Sequence, residues 1–314
     1  LVYALSDNDH LYLAFRCAEP KTADLRQTAS VDNANVWGDD CVEFNFDPTG
    51  GTNQIYQLTV NSLGTKEFVL RNQGHLDVAS IRSAARVAQG QWTAEVAFPF
   101  SALGITRSPE VEMRWRVNFE RLRTVEGEED DDWQYTHGDW DNPEIYGTLV
   151  IPGGPLVLQA FGLQALAVGR PSQAFMRLAN HGLTPPTLEV AITDRLVPQP
   201  LARQKASIQV RHAVSFPLNF LPPVGGDRTY KWTVRDLGSD AVLFSMERMV
   251  KVAKAVRAYI FYHSRQILVD ADLEPWAGLA PDATVEVRLL PAQSDSPIAA
   301  AAAVIRPEER IAYA

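Results

Sequence analysis

The feature that most constrains this chain is a period of two. Apolar and polar residues mostly alternate in Leu11-Tyr-Leu-Ala-Phe-Arg16, Cys41-Val-Glu-Phe-Asn-Phe46, Gln57-Leu-Thr-Val60, Trp92-Thr-Ala-Glu-Val-Ala-Phe98 and Met113-Arg-Trp-Arg-Val-Asn-Phe119. Successive side chains of an extended strand point to opposite faces. Each run therefore puts one face in a core and the other toward solvent or a partner sheet. Turn clusters such as Ser6-Asp-Asn-Asp9, Asp47-Pro-Thr-Gly-Gly51 and Ala88-Gln-Gly90 separate the runs. With no sustained helical pattern between them, the chain is expected to be all-β and to open with a β-sandwich rather than an α/β fold.

Ile151-Pro-Gly-Gly-Pro155 is a stiff punctuation mark suited to a domain boundary. Strand signals resume beyond it in Ala174–Ala179, Leu188–Ile192, Ser207–Val214 and Tyr230–Arg235. Leu237-Gly-Ser-Asp240 then reads as a hairpin turn into Ala241–Ser245. Residues 153–254 are expected to form an immunoglobulin-like β-sandwich. Residues 255–314, with Tyr259–Tyr262, Gln266–Val269 and Val285–Leu290, read as the start of a further sandwich cut before completion. The alanine run 299–303 suits either a helix or a strand of small residues.

Charge separates the two halves. Residues 1–150 hold 24 acidic and 12 basic side chains, net −12, while the remainder is net +3. Five of the seven tryptophans, at 37, 92, 115, 133 and 140, also fall in the first half. The acidic balance argues against a nucleic-acid partner, which calls for a basic face. No run approaches the roughly 18 apolar residues of a spanning helix. The chain starts at Leu1 without a Met or a leader pattern and reads as a piece of a longer protein, so its location is not written in its ends. Cys17 and Cys41 either pair across neighbouring strands or are two buried thiols.

The usual catalytic signatures are missing: no G-x-S-x-G, H-E-x-x-H, Walker loop or C-x-x-C occurs, and the six histidines are scattered. The acidic run Glu128–Asp132 reads as a solvated loop, with calcium as the other reading of so many carboxylates. Two tryptophan segments stand out instead. Val36-Trp-Gly-Asp-Asp-Cys-Val-Glu-Phe44 and Gly138-Asp-Trp-Asp-Asn-Pro-Glu-Ile-Tyr-Gly147 each set a tryptophan in a polar turn just before a strand. An indole placed there is either a lid on the sheet or a platform for the apolar face of a sugar ring, with nearby carboxylates and amides for the hydroxyls. Asp39 and Asp40 read as braces of the turn, and Trp92 and Trp115, in strands, as core.

Taken in order, Leu11-Tyr-Leu-Ala-Phe15, Trp37-Gly-Asp-Asp-Cys-Val-Glu43, Trp92–Phe100 with Leu103-Gly104, Trp115-Arg-Val-Asn118 and Trp140-x-x-Pro143-x-x-Tyr146-Gly147-x-Leu149 resemble carbohydrate-binding module family 9, within the DOMON-like β-sandwiches. The resemblance covers residues 1–152, with the family's first strands falling before Leu1. It implies a sugar clamped between Trp37 and Trp140, with Glu43 binding hydroxyls. The family's Arg-x-Asn pair falls on Thr59 and Asn61, a glutamine falls on Asn118, and an asparagine falls on His137. It further implies no required cofactor, structural calcium whose ligands do not map onto this sequence, and no catalytic site within the chain. The parent is then an extracellular or periplasmic multimodular glycan-degrading protein, with a polysaccharide or oligosaccharide as partner. A DOMON-like haem site would need Met113 and a second ligand that nothing in the sequence signals. Two alternatives stay open: a structural or interaction scaffold with a decayed sugar site, and the non-catalytic front part of a glycoside hydrolase.

Overall fold

The computed structural model describes residues 1–50, 54–125, 127, 129–136, 139–140, 142–164 and 166–253, and beyond these the backbone of strands 256–261, 266–272, 284–289, 299–304 and 311–313. Of the residues named above, Gly51, Glu128, His137, Gly138, Asp141, Tyr262 and Leu290 lie outside the described set. The protein is all-β, and the helical turns among the described residues are 3-10 segments of three or four residues.

The first half runs β1 (Val2–Ser6), β2 (His10–Ala18), β3 (Cys41–Asp47), β4 (Tyr56–Asn61), β5 (Lys66–Leu70), β6 (Gly74–His75), β7 (Arg82–Ala88) and β8 (Gln91–Pro99). It continues through β9 (Ile105–Arg107), β10 (Val111–Arg123), β11 (Glu129–Asp132) and β12 (Gly147–Ile151). One sheet has the order β1-β2-β8-β7, and its partner places β3 between β10 and β4, followed by β5 and β6. The alternation read from the sequence builds the core between them. Leu11, Leu13, Phe15 and Cys17 of β2 are buried, as are Phe44 and Phe46 of β3. Phe46 is the hub: it stacks on Trp115 at 5.3 Å and meets Phe98 of the opposite sheet edge-on at 5.5 Å. Trp92 and Trp115 are core residues, and Cys17 and Cys41 are separate buried thiols. Burial pushes the Cys17 thiol up to about 11, so it stays protonated and inert.

The second half adds β13 (Leu156–Leu163), β14 (Ser172–Asn180), β15 (Thr187–Asp194), β16 (Ala202–Ser207), β17 (Ala213–Phe220), β18 (Gly226–Asp236) and β19 (Val242–Val252). β18 and β19 form the expected hairpin, whose turn is held by the Asp236 carboxylate accepting from the amides of Gly238 and Ser239. Further on, Ala299–Val304 is a strand paired with Thr284–Leu289, which settles the alanine run.

The halves share their sheets. After Ile151-Pro-Gly-Gly-Pro155 the chain enters β13, which runs parallel to β10 over Val111–Met113, and β9 pairs antiparallel with Phe244–Met246 of β19. One apolar core extends from Leu11 to Val252. Arg107 latches the joint, donating to the carbonyls of Val111, Pro152 and Asp7 at 2.8 Å each while lying over the Phe100 ring. Gly104 lets β9 and β19 approach. Its φ is +69° and a Cβ there would sit 2.1 Å from the Glu247 carbonyl oxygen. Gly104→Ala is therefore expected to lower stability by about 2–4 kcal/mol in denaturant unfolding; an unchanged midpoint would mean the joint is not held this way.

Candidate functional site

The polar half of the alternation is nearly as buried as the apolar half. On β3 the residues facing away from the core are Cys41, Glu43, Asn45 and Asp47; on β4 they are Gln57, Thr59 and Asn61. β10 offers Asn118 opposite Asn45 and Glu120 opposite Glu43, and β5 offers Glu67 opposite Thr59. Of these, Glu43, Asn45, Asp47, Thr59, Asn61, Glu67, Asn118 and Glu120 are all buried. A buried polar group costs stability unless it is hydrogen-bonded. The face supplies part of those bonds itself, through Glu43, Asn45, Gln57, Thr59 and Glu120, and the segments laid over it, which carry the tryptophans, supply others.

The turn bearing Trp37 is tied down on three sides. The Val36 amide donates to Glu67 Oε2 at 3.0 Å. The Asp39 carboxylate accepts from the Thr28 amide and hydroxyl, the Ala29 amide and Asn61 Nδ2, all within 2.9 Å. Asp40 accepts from the Arg26 amide and from the amide and hydroxyl of Thr124. Burial works against the Asp39 charge, but these donors outweigh it and hold the carboxyl below its ordinary range. Val36 is thereby sunk in the protein while Trp37 stands 57% exposed. The second loop is stapled locally: the Tyr146 hydroxyl donates to the Trp140 carbonyl at 2.7 Å, and Asn142 caps the short helical turn that starts at Pro143. Gly147 leaves room for Trp133, whose ring would lie 2.2 Å from a Cβ at that position.

Trp37 and Trp140, far apart in sequence, line one cleft of about 410 Å³. Glu43, Gln57, Arg71, Glu120, Leu122 and Asp130 complete it. Glu43 accepts from Gln57 Nε2 at 2.7 Å and from the Thr59 hydroxyl at 3.2 Å, and Asn45 Nδ2 bridges it to Glu120. Burial raises the pKa of both acids. For Glu120, the nearby charge of Glu43 adds to burial, and its carboxyl is pushed up to about 8. Two carboxylates directly opposite in one ladder do not both ionise readily, so the pair tends to hold one proton between them.

Asn61 and Asn118 do not line the cleft. Asn61 spends its amide on the Ala29 carbonyl and Asp39, and its oxygen on the amides of Leu63 and Thr65. Asn118 donates to Glu120 and the Gln134 carbonyl, and accepts from the amides of Phe119 and Gln134. Both hold loops in place. Gln57, Arg71 and Glu120 escaped the sequence reading. Glu120 was the findable one, because it continues the outward positions of β10 two residues past Asn118. Among the described residues no group of three or more His, Cys, Asp or Glu side chains is arranged to hold a metal ion.

Residues 2–153 match the family described as carbohydrate family 9 binding domain-like. This half of the chain is a family 9-like module. No curated protein matches the chain. Among solved structures, the chain is similar to an Amycolatopsis orientalis exo-chitosanase (11% identity, 83% of this chain and 28% of that one, TM-score 0.27). It is also similar to a Bifidobacterium dentium β-glucuronidase (10%, 83% and 42%, 0.26) and a Parabacteroides merdae β-glucuronidase (11%, 81% and 29%, 0.25). The chain thus spans less than half the length of each, and TM-scores this low carry no argument about fold or activity.

Two outcomes follow for the family 9-like module. Asp39→Ala strands the buried donors at Ala29 and Asn61 and frees those at Thr28, and is expected to cost about 3 kcal/mol or more in denaturant unfolding; a loss under about 1 kcal/mol would show that the loop is held otherwise. A carboxyl whose pKa rises on folding contributes stability that is complete below its unfolded value of about 4.3 and is lost as pH rises through its folded value. Stability should therefore fall between about pH 5 and pH 8, and Glu120→Gln should flatten that slope; parallel pH profiles for the two proteins would contradict the assignment.

Proposed function

We propose that the family 9-like module binds a glycan in the cleft between Trp37 and Trp140, one sugar ring lying against each indole or between the two. The observation that carries this is the convergence of the two tryptophans on a single cleft floored by Glu43 and Gln57. An indole offers a broad apolar face to the C–H face of a pyranose, while carboxylates and amides accept and donate to its hydroxyls. Glu43 is the hydroxyl acceptor, Gln57 and Arg71 are donors beside it, and Asn61 and Asn118 are positioning residues that keep the loops and Glu120 in register. His137 retains only the place that the family resemblance assigns it, next to the Trp140 loop.

The rest of the reading extends this core. Residues 153–254, which share sheets and a core with the module, serve as its immunoglobulin-like support, and the protein works in glycan degradation outside the cell or in the periplasm. No helix among the described residues is long and apolar enough to cross a membrane.

Trp37→Ala and Trp140→Ala should each weaken the best ligand found on a glycan array by about 2 kcal/mol, roughly thirtyfold, in calorimetric titration. Both indoles reach solvent, so circular dichroism should stay native. If both variants bind as the native protein does, the ligand lies elsewhere or the module is an inert scaffold.

A further inference from the structure

The charge of the cleft says which sugars it should prefer. Glu43, Glu120 and Asp130 line it against one cation among the described lining residues, Arg71. β11 sets Asp132 opposite Glu120 on the same face of the ladder, while Glu129 lies on the other face and pairs with Arg123 at 3.0 Å. The two cleft acids lie opposite each other in the ladder and are buried, Glu43 at 7% and Glu120 at 9% exposure. Asn45 donates to both, and its own carbonyl oxygen is fully buried without a donor among the described atoms. Cationic N–H groups would suit both the carboxylates and the tryptophan walls, because the face of an indole attracts a cation.

We propose, building on the glycan reading above, that the cleft selects amino sugars, with a protonated amine on the ring held by Glu43 and Glu120 while Trp37 and Trp140 cover the ring faces. The ligand class is an oligosaccharide whose rings carry free amines. The ammonium brings one positive charge to the acid pair, and the proton the two carboxyls held leaves to solvent. Arg71 and Asp132 act on the same pair and set how much of that proton is released.

The test is a calorimetric comparison of three oligosaccharides of equal length and linkage that differ only at C2: a glucosamine tetramer, its N-acetylated form and cellotetraose. At about pH 6.5 the free amine is expected to bind at least about tenfold tighter than either neutral ligand. An amine of this kind titrates near the α-amino value of about 8, so the preference should shrink below about threefold at pH 9. Half-molar salt should shrink it in the same direction. Trp37→Ala should weaken amine binding by the same roughly thirtyfold, and Glu120→Gln should narrow the preference. If Glu120→Gln does not fold, the pH and salt arms on the native protein decide. Equal or tighter binding of cellotetraose, still dependent on Trp37, overturns the amine preference and leaves the glycan reading standing. Amine binding that ignores Trp37→Ala is non-specific charge attraction and overturns it too. Silence from all three ligands overturns it as well, while binding of another glycan on the array would still uphold the broader reading.

Discussion

The buried polar face of β3, β4 and β10 is the constraint to which the rest of the module answers. A strand cannot bury one face without choosing what the other face does, and here the other face carries carboxylates and amides that water does not reach. Left bare of partners, such groups would cost more than the apolar face gains. The loops over residues 26–40 and 124–146 meet that demand with amides and hydroxyls. In doing so they are fixed tightly enough to present two indoles on one cleft. The cleft between them is therefore a consequence of how the polar face is satisfied.

β10 connects this face to the remainder of the chain. Its start pairs with β13, its middle with β12, its end with β11, and its opposite edge with β3. The strand that carries Glu120 and Asn118 is thus held by pairing from both halves of the protein. β9 and Arg107 add a second tie, with Gly104 giving the backbone clearance. The site's floor is rigid for the same reason that the halves share one core.

Much of this was legible in the alternation itself. The strands of the first half, the hairpin at Leu237–Asp240 and the burial of Trp92 and Trp115 follow from period-two patterning and turn chemistry. The bracing by Asp39 and Asp40 follows from their place in a tight turn. What the alternation does not encode is which polar residue spends its hydrogen bonds internally. Asn61 and Asn118 look identical in sequence to ligand-facing amides, and only the loops returning from residues 29 and 134 show that they are committed. Glu120 was overlooked for the opposite reason. Its significance depends on the β3–β10 register, which sets it against Glu43 and is fixed by long-range pairing rather than by any local signal. The sharing of sheets across Ile151–Pro155 was likewise hidden, since a Pro-Gly-Gly-Pro segment serves a turn within a sheet as well as a link between domains.

The central claim is that ligand, cleft and both tryptophans belong together. The most direct measurement is a nitrogen–proton correlation spectrum of the indole N–H groups during titration with the bound glycan. The account predicts saturable shifts of the Trp37 and Trp140 signals with one common affinity, while those of the buried Trp92, Trp115 and Trp232 hold still. Shifts confined to other tryptophans, or a ligand that binds without moving either Trp37 or Trp140, would contradict it.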